Sequence, residues 1–294
     1  MADSSNKTPL NKLIDNIMQD LYKDRERDII IGRFGLNGKK KTLDAIGKDY
    51  GVTRERIRQL EKGMIIRLQV KAEEGKLLGF ADYEESLAVE IQKVGGICSI
   101  LKLSQLIKEG DSKETIARNS FITLISSKLL LIDDSDDYNQ SAVLASHYKS
   151  PSEASKDVDK IVGTLTVNKK PISISELKKS NSLGQSEQEL ETKLLVSKNT
   201  YQRKGLWGLK SWSSVNPKSI KDKIYIVLKE GKEPMHFSEI YKAIQADKTF
   251  HKREFTVQAT HNELIRDARY VLVGRGRYAL KEWGHIEGTV EDVI

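Results

Sequence analysis

The feature that most constrains this 294-residue chain is a short stretch in which two helical patterns meet at one glycine. Thr42 caps a segment with Leu43, Ile46 and Tyr50 on its inner face. Thr53 caps a longer segment with Ile57, Leu60, Met64, Ile65 and Leu68 along one stripe. Gly51 stands between them and supplies the tight or left-handed backbone that a helix-to-helix turn needs. A short helix, a glycine turn and a capped second helix make a helix-turn-helix. Two more helices are predicted ahead of it. Leu10, Leu13, Ile14, Ile17, Met18 and Leu21 recur at threes and fours. A second helix starts near Asp24, carries Ile29, Ile30 and Phe34, and stops in the turn Gly35-Leu36-Asn37-Gly38.

The longer helix shows solvent an unusual set of side chains. Arg54, Glu55, Arg56, Arg58 and Gln59 crowd its first two turns, the turns that enter the major groove in a helix-turn-helix. Arginine pairs bidentately with guanine, glutamate accepts from cytosine and glutamine reaches adenine. The remaining arginines and the preceding run Lys39-Lys40-Lys41 suit phosphates.

Arg25-Glu26-Arg27-Asp28, Arg33-Phe34-Gly35-Leu36, Thr42-Leu43, Ile46-Gly47 and the stretch Gly51 to Lys62 closely resemble region 4 of the sigma-70 family. The resemblance covers roughly residues 20–70. In that family region 4 is the helix-turn-helix by which bacterial sigma factors read the promoter −35 element and touch the flap of RNA polymerase. The resemblance implies that Arg54, Glu55 and Gln59 read bases. It implies that Thr53 and Arg58 contact the DNA backbone, and Arg56 with Lys39, Lys40 and Lys41 joins them as basic neighbours. Two departures stand out. Gly63 replaces a better helix former, at ~1 kcal/mol of helix preference. Only about twenty residues precede the match, too few for the sigma regions that melt DNA and grip core polymerase, so the expectation is a sigma-like factor rather than a complete sigma factor.

Residues 217–283 read as a different unit. A helix from Ser219 carries Ile220, Ile224, Val227 and Leu228 and closes at Gly231. An extended Pro234–Phe237 follows, then a helix with Ile240, Tyr241 and Ile244, and a third from about Val257 to Asp267. Tyr270–Val273 and Arg277–Leu280 flank Gly274-Arg275-Gly276 as a hairpin. That order is a winged helix. Pro234 to Ile240 and Gly274 to Trp283 resemble the HARE-type helix-turn-helix, also found at the N-terminus of the RNA polymerase delta subunit of Gram-positive bacteria. The resemblance implies association with DNA or with polymerase and does not choose between them. The plan recurs: Pro171–Leu177 matches Pro234–Ile240, and Gly205–Trp212 matches Gly276–Trp283. A fainter copy lies in 83–147, with Ser104-Gln105-Leu106 set against Ser175-Glu176-Leu177. The expected fold is mainly α, a helix-turn-helix followed by two or three small winged-helix (α+β) modules in tandem. The expected domains are 1–72, 83–147, 152–213 and 217–284, with a frayed acidic tail. Arg275, Arg277, Arg203 and Lys204 sit where wings would touch DNA, while Trp207, Trp212 and Trp283 read as core closure.

Charge follows the same blocks. The net +7 divides into +6 for residues 1–71, −6 for 72–147, +5 for 148–215, +5 for 216–283 and −3 for the last eleven. Basic blocks suit nucleic acid, whereas 72–147, with Asp133-Asp134-Ser135-Asp136-Asp137 in its wing, does not. The single cysteine, Cys98, excludes a disulfide scaffold or a zinc finger of paired cysteines and fits a reducing cytosol. The longest apolar run, Ile224 to Leu228, is far short of a membrane span. Histidines 147, 236, 251, 261 and 285 lack metal-ligand spacing, and no nucleophile–base pattern appears. The expectation is a non-enzymatic factor with no cofactor and no small-molecule ligand, whose partners are duplex DNA and RNA polymerase, in the bacterial cytoplasm at the nucleoid. Two other readings stay open: a polymerase accessory subunit that does not read sequence, and a module of a restriction or chromatin system.

Overall fold

The computed structural model describes residues 8–180, 184–250 and 254–285. The helix-turn-helix part comprises α1 Pro9–Gln19, α2 Asp24–Phe34, α3 Leu43–Asp49 and α4 Arg54–Glu73. Next come α5 Phe80–Lys93, β1 Ile97–Ser99, α6 Ile100–Leu106, α7 Lys113–Ile125, β2 Leu129–Ile132 and β3 Ser141–Leu144. They are followed by α8 Pro151–Asn168, β4 Ile172–Ser173, α9 Ile174–Ser180, α10 Glu187–Val196, β5 Thr200–Arg203 and β6 Leu206–Leu209. The last group is α11 Ile220–Gly231, β7 Met235–His236, α12 Phe237–Ala246, α13 Val257–Arg266, β8 Tyr270–Gly274 and β9 Arg277–Leu280. The fold is mainly α, a helix-turn-helix followed by three small winged-helix modules.

The order helix, strand, helix, helix, strand, strand occurs three times, and each sheet is antiparallel with its last strand in the middle. The faint copy is therefore a full one, but its register differs from the sequence match. Ile100, Ile174 and Phe237 open equivalent helices, and Leu103, Leu177 and Ile240 are buried one turn later. Aligning Ser104-Gln105-Leu106 with Ser175-Glu176-Leu177 was three residues out. Burial of one apolar residue per turn sets this register, and β1 lacks the proline that marks the other two copies.

The chain forms two compact units, Met1–Thr164 with Lys178–Lys198, and Leu165–Leu177 with Asn199–Ile294. In the first, Ile29 and Ile30 of α2, Ile57 and Leu68 of α4, and Phe121 and Ile125 of α7 belong to one buried cluster. The Phe34 and Phe121 rings lie 5.0 Å apart. Arg118 donates to the Leu36 carbonyl at 2.9 Å, and Gln69 donates to the Leu124 carbonyl at 3.0 Å. The helix-turn-helix and the first winged helix thus share a core. A buried polar chain runs beneath it: Tyr83 hydroxyl to Asn119 at 2.8 Å, Asn119 amide to Ser104 at 2.8 Å, and Ser104 hydroxyl to the Ile100 carbonyl at 2.8 Å. Full pairing is what makes those interior polar groups tolerable. Cys98 is buried in the same cluster as Tyr83, and burial pushes its thiol up to about 12, so it packs as a small apolar group. The acidic loop of the first wing is used locally, with Lys198 bridging to Asp134 at 2.9 Å and donating its backbone N–H to the Asp137 carbonyl at 2.7 Å.

In the second unit, Ile224, Leu228, Ile240, Leu264 and Leu280 centre the core of α11, α12, α13 and the last hairpin. Helix α11 includes Gly231, and Lys232 at φ 58° takes the left-handed cap that the sequence pattern gave to the glycine. Trp207 is buried and Trp283 packs against the α11–α13 core. The acidic tail, residues 286–294, and His251 lie outside the described residues. Among the described residues no helix is long and apolar enough to cross a membrane.

Gly63 lies in the exposed middle of α4, and a Cβ there meets nothing within 4 Å. Gly63→Ala should therefore stabilise the protein by about 0.5–1 kcal/mol. A urea titration that shows a higher midpoint at unchanged slope checks it.

Candidate nucleic-acid interface

Two caps and two glycines build the turn. The Ala45 N–H donates to Thr42 Oγ1 at 3.1 Å and the Arg56 N–H to Thr53 Oγ1 at 3.2 Å, starting α3 and α4 where the sequence places them. Gly51 adopts φ 63°, as a left-handed link between helices requires. Gly47 is less obvious from sequence. A Cβ on it would sit 2.7 Å from the Val52 carbonyl oxygen, whose own N–H returns to the Gly47 carbonyl at 2.9 Å. Only glycine lets the chain after the turn close so tightly on α3.

This turn leaves the start of α4 projecting and anchors its far end. Thr53, Arg54, Glu55, Arg56, Arg58 and Gln59 are all exposed, whereas Ile57, Met64 and Leu68 are buried. Arg33 pairs with Glu61 at 2.9 Å and Arg67 with Glu26 at 2.9 Å, so α2 and α4 are pinned by two partly buried ion pairs. Arg27 donates to the Met18 and Leu21 carbonyls, both at 2.9 Å, closing the end of α1. Arg27 and Arg33 of α2 are thus committed to scaffolding.

The exposed face has its own internal order. Glu55 accepts two bonds from Arg58, at 2.8 and 2.7 Å. Those bonds hold the Glu55 carboxyl below its usual range and raise the Arg58 guanidinium. Arg54 stands 3.8 Å from Asp44, and Arg56 reaches Gln59 at 3.5 Å. Lys39, Lys40 and Lys41 are exposed on the loop before α3, with Lys41 paired to Asp49 at 2.9 Å. The result is a convex helix end rich in donors, with one carboxylate that a neighbouring arginine already occupies.

Comparison with known proteins coincides with this substructure. Residues 23–69 match the family model for Sigma-70, region 4. That stretch carries the region 4 fold. The RNA polymerase sigma factor SigA of Lactococcus lactis subsp. cremoris is 43% identical over 69 residues, which is 23% of this chain and 19% of that protein. SigA of Lactococcus lactis subsp. lactis is likewise 43% identical over 69 residues, 18% of its length. The chain spans about a fifth of the length of the curated relatives it matches. The family match ends at residue 69, inside α4 and ahead of the first winged helix.

Outside region 4 the expected wing residues divide. Arg275 is exposed at the tip of the last hairpin. Arg277 is half-exposed and donates to the Pro234 carbonyl at 2.6 Å. Arg203 departs from the expectation of a wing contact. Its side chain is only 5% exposed, pairs with Glu230 at 2.5 Å and Asp247 at 2.8 Å, and lies over the Phe250 ring. Apolar neighbours and two carboxylates draw it inward, so it cannot meet a phosphate without leaving both. Lys204 is half-exposed but shares the same two acids, at 2.7 and 3.0 Å. Among the described residues no group of three or more potential metal ligands occurs.

Two outcomes follow from these contacts. Gly47→Ala should cost about 1–3 kcal/mol by forcing backbone apart at the turn, read as a lower midpoint in thermal unfolding. At Asp247, burial acts to raise the carboxyl, but bonds from Thr249, Lys204 and Arg203 outweigh it and hold the group below the usual carboxylate range. A depressed carboxylate stabilises the fold above its unfolded pKa, and that contribution fades as pH falls below about 4. Asp247→Ala should destabilise by about 3 kcal/mol at neutral pH, because Arg203 stays buried with one partner fewer. Its deficit relative to the unsubstituted protein should shrink on acidification, as urea midpoints across pH will show.

Proposed function

We propose that the chain is a sequence-specific, sigma-like DNA-binding transcription factor that acts at promoters with bacterial RNA polymerase, in the cytoplasm. The observation that carries this reading is the projecting start of α4. Six side chains able to touch DNA are exposed on two turns of a region 4 helix whose opposite end is locked in a core. In this reading Arg54, Glu55 and Gln59 address base edges in the major groove. Thr53, Arg56, Arg58 and the loop lysines Lys39, Lys40 and Lys41 hold phosphates.

Charge assigns the remaining surfaces. Residues 72–147 carry −6 and are built into one body with region 4. At physiological salt the screening length is ~8 Å, so an acidic face is repelled by phosphate near it and keeps little attraction from basic residues farther away. This block therefore faces protein, and polymerase is the partner in keeping with a sigma-like role. The last module is of HARE type in this reading, as its hairpin and short strand resemble that domain.

Arg54→Ala or Gln59→Ala should lower affinity for a selected duplex by ~1–3 kcal/mol and affect a scrambled duplex less. Arg58→Ala should weaken both and flatten the salt dependence by about one unit. Binding titrations on the two duplexes over a range of salt decide the matter. Equal losses on both duplexes from Arg54→Ala would leave a docking module that does not read sequence.

A further inference from the structure

The three winged helices place one helix directly before their hairpin, namely α7, α10 and α13, and these three are used differently. Helix α7 is consumed by packing: Asn119, Ser120, Phe121, Ile122, Thr123 and Ile125 are all buried. Helix α10 buries Leu190, Thr192, Lys193, Leu194 and Val196, and its exposed positions Glu187, Gln188 and Glu191 are mostly acidic. Helix α13 buries only Thr260 and Leu264. Its exposed Gln258, Asn262, Ile265 and Arg266 follow one another at helical spacing and so form a single stripe.

The chemistry of that stripe is specific. Gln258 donates its amide N–H to the Asn262 amide oxygen at 3.1 Å. One amide then presents its oxygen and the other its NH2, an acceptor beside a donor, which is the pattern an adenine edge offers in complement. Ile265 is 65% exposed, a poor arrangement in water and a good one against a thymine methyl group. Arg266 at the end of the helix and Arg275 at the hairpin tip are exposed cations on a block of net +5. His261, between the amides on the helix, is half-buried and stacked on Phe237 at 4.4 Å, which fixes the inner side of α13.

We propose that α13 and the Arg275 hairpin form a second duplex-reading surface, with Gln258 and Asn262 on an A·T base edge, Ile265 on a thymine methyl, and Arg266 and Arg275 on phosphates. The inference rests on the reading of the chain as a DNA-binding factor and adds a second sequence block to its site. A duplex is the fitting occupant because the stripe joins paired amides to cations. A basic protein surface would be repelled by the arginines, and an apolar one would leave both amides unmatched.

The test uses the full chain and a duplex pool with a long random window. The unsubstituted protein should enrich two separate sequence blocks, one rich in A·T. Gln258→Ala with Asn262→Ala should erase that block, leave the other, and lower affinity for the two-block duplex roughly 5- to 150-fold. Gln258→Glu, which keeps the size and places a negative charge on the stripe, should do the same. Arg54→Ala should erase the other block only. Loss of the A·T block in the α13 variants with no effect of Arg54→Ala would sink the α4 reading and leave this one standing. A single block untouched by the α13 variants, no enriched block at all, or equal weakening on every duplex would overturn the proposal. So would unchanged DNA selection with loss of a polymerase contact, which would make α13 a protein-docking helix.

Discussion

The packing of α7 against α2 and α4 is the constraint on which the first unit depends. Phe34 on Phe121, Gln69 on the Leu124 carbonyl and Arg118 on the Leu36 carbonyl tie the four-helix region 4 substructure to a winged helix. Helix α4 gains most from that arrangement. Its helix preference is weakened at Gly63, and its early turns carry polar side chains that bury nothing. Helical stability comes chiefly from tertiary packing of an apolar face, so the exposed start of α4 is held by burial farther along the same helix. The Arg33–Glu61 and Glu26–Arg67 pairs then fix its angle to α2.

The same packing explains why three modules of one topology are not equivalent. A helix before a hairpin serves either as core or as surface, and the sequence of α7, with Phe121, Ile122 and Ile125 in its second half, commits it to core. Helix α10 leans on β1 through a cluster that includes Val196, Ile97 and Val143. Helix α13 turns an amide pair and an arginine outward, whereas the outward positions of α10 are mostly acidic. The three modules share one topology, and their side chains use the helix before the hairpin differently.

Much of this was legible from residue order. The caps Thr42 and Thr53, the left-handed Gly51, the stop at Gly35 and the hairpin around Gly274–Gly276 lie where local rules put them, because each depends on neighbours within a few residues. What was hidden depends on contacts distant in sequence. Gly47 matters because of the Val52 carbonyl, and Arg203 turns inward because Glu230 and Asp247 come to it from 27 and 44 residues away. The register of the faint repeat failed for the same reason: Ser-x-Leu resemblance is local, whereas burial of Leu103 is decided by the whole first unit.

The clasp between Glu55 and Arg58 has one more consequence. A helix that approaches DNA with one of its cations already neutralised by its own side chain releases fewer counterions from an arbitrary stretch of duplex. It therefore lingers less on the vast excess of wrong sequence. Under the proposed function, a cytosine that draws the glutamate away would set the arginine free for a phosphate, and both charges would be used at once. In that reading the resting protein carries a built-in competitor for its own grip, one that a matching base pair would displace.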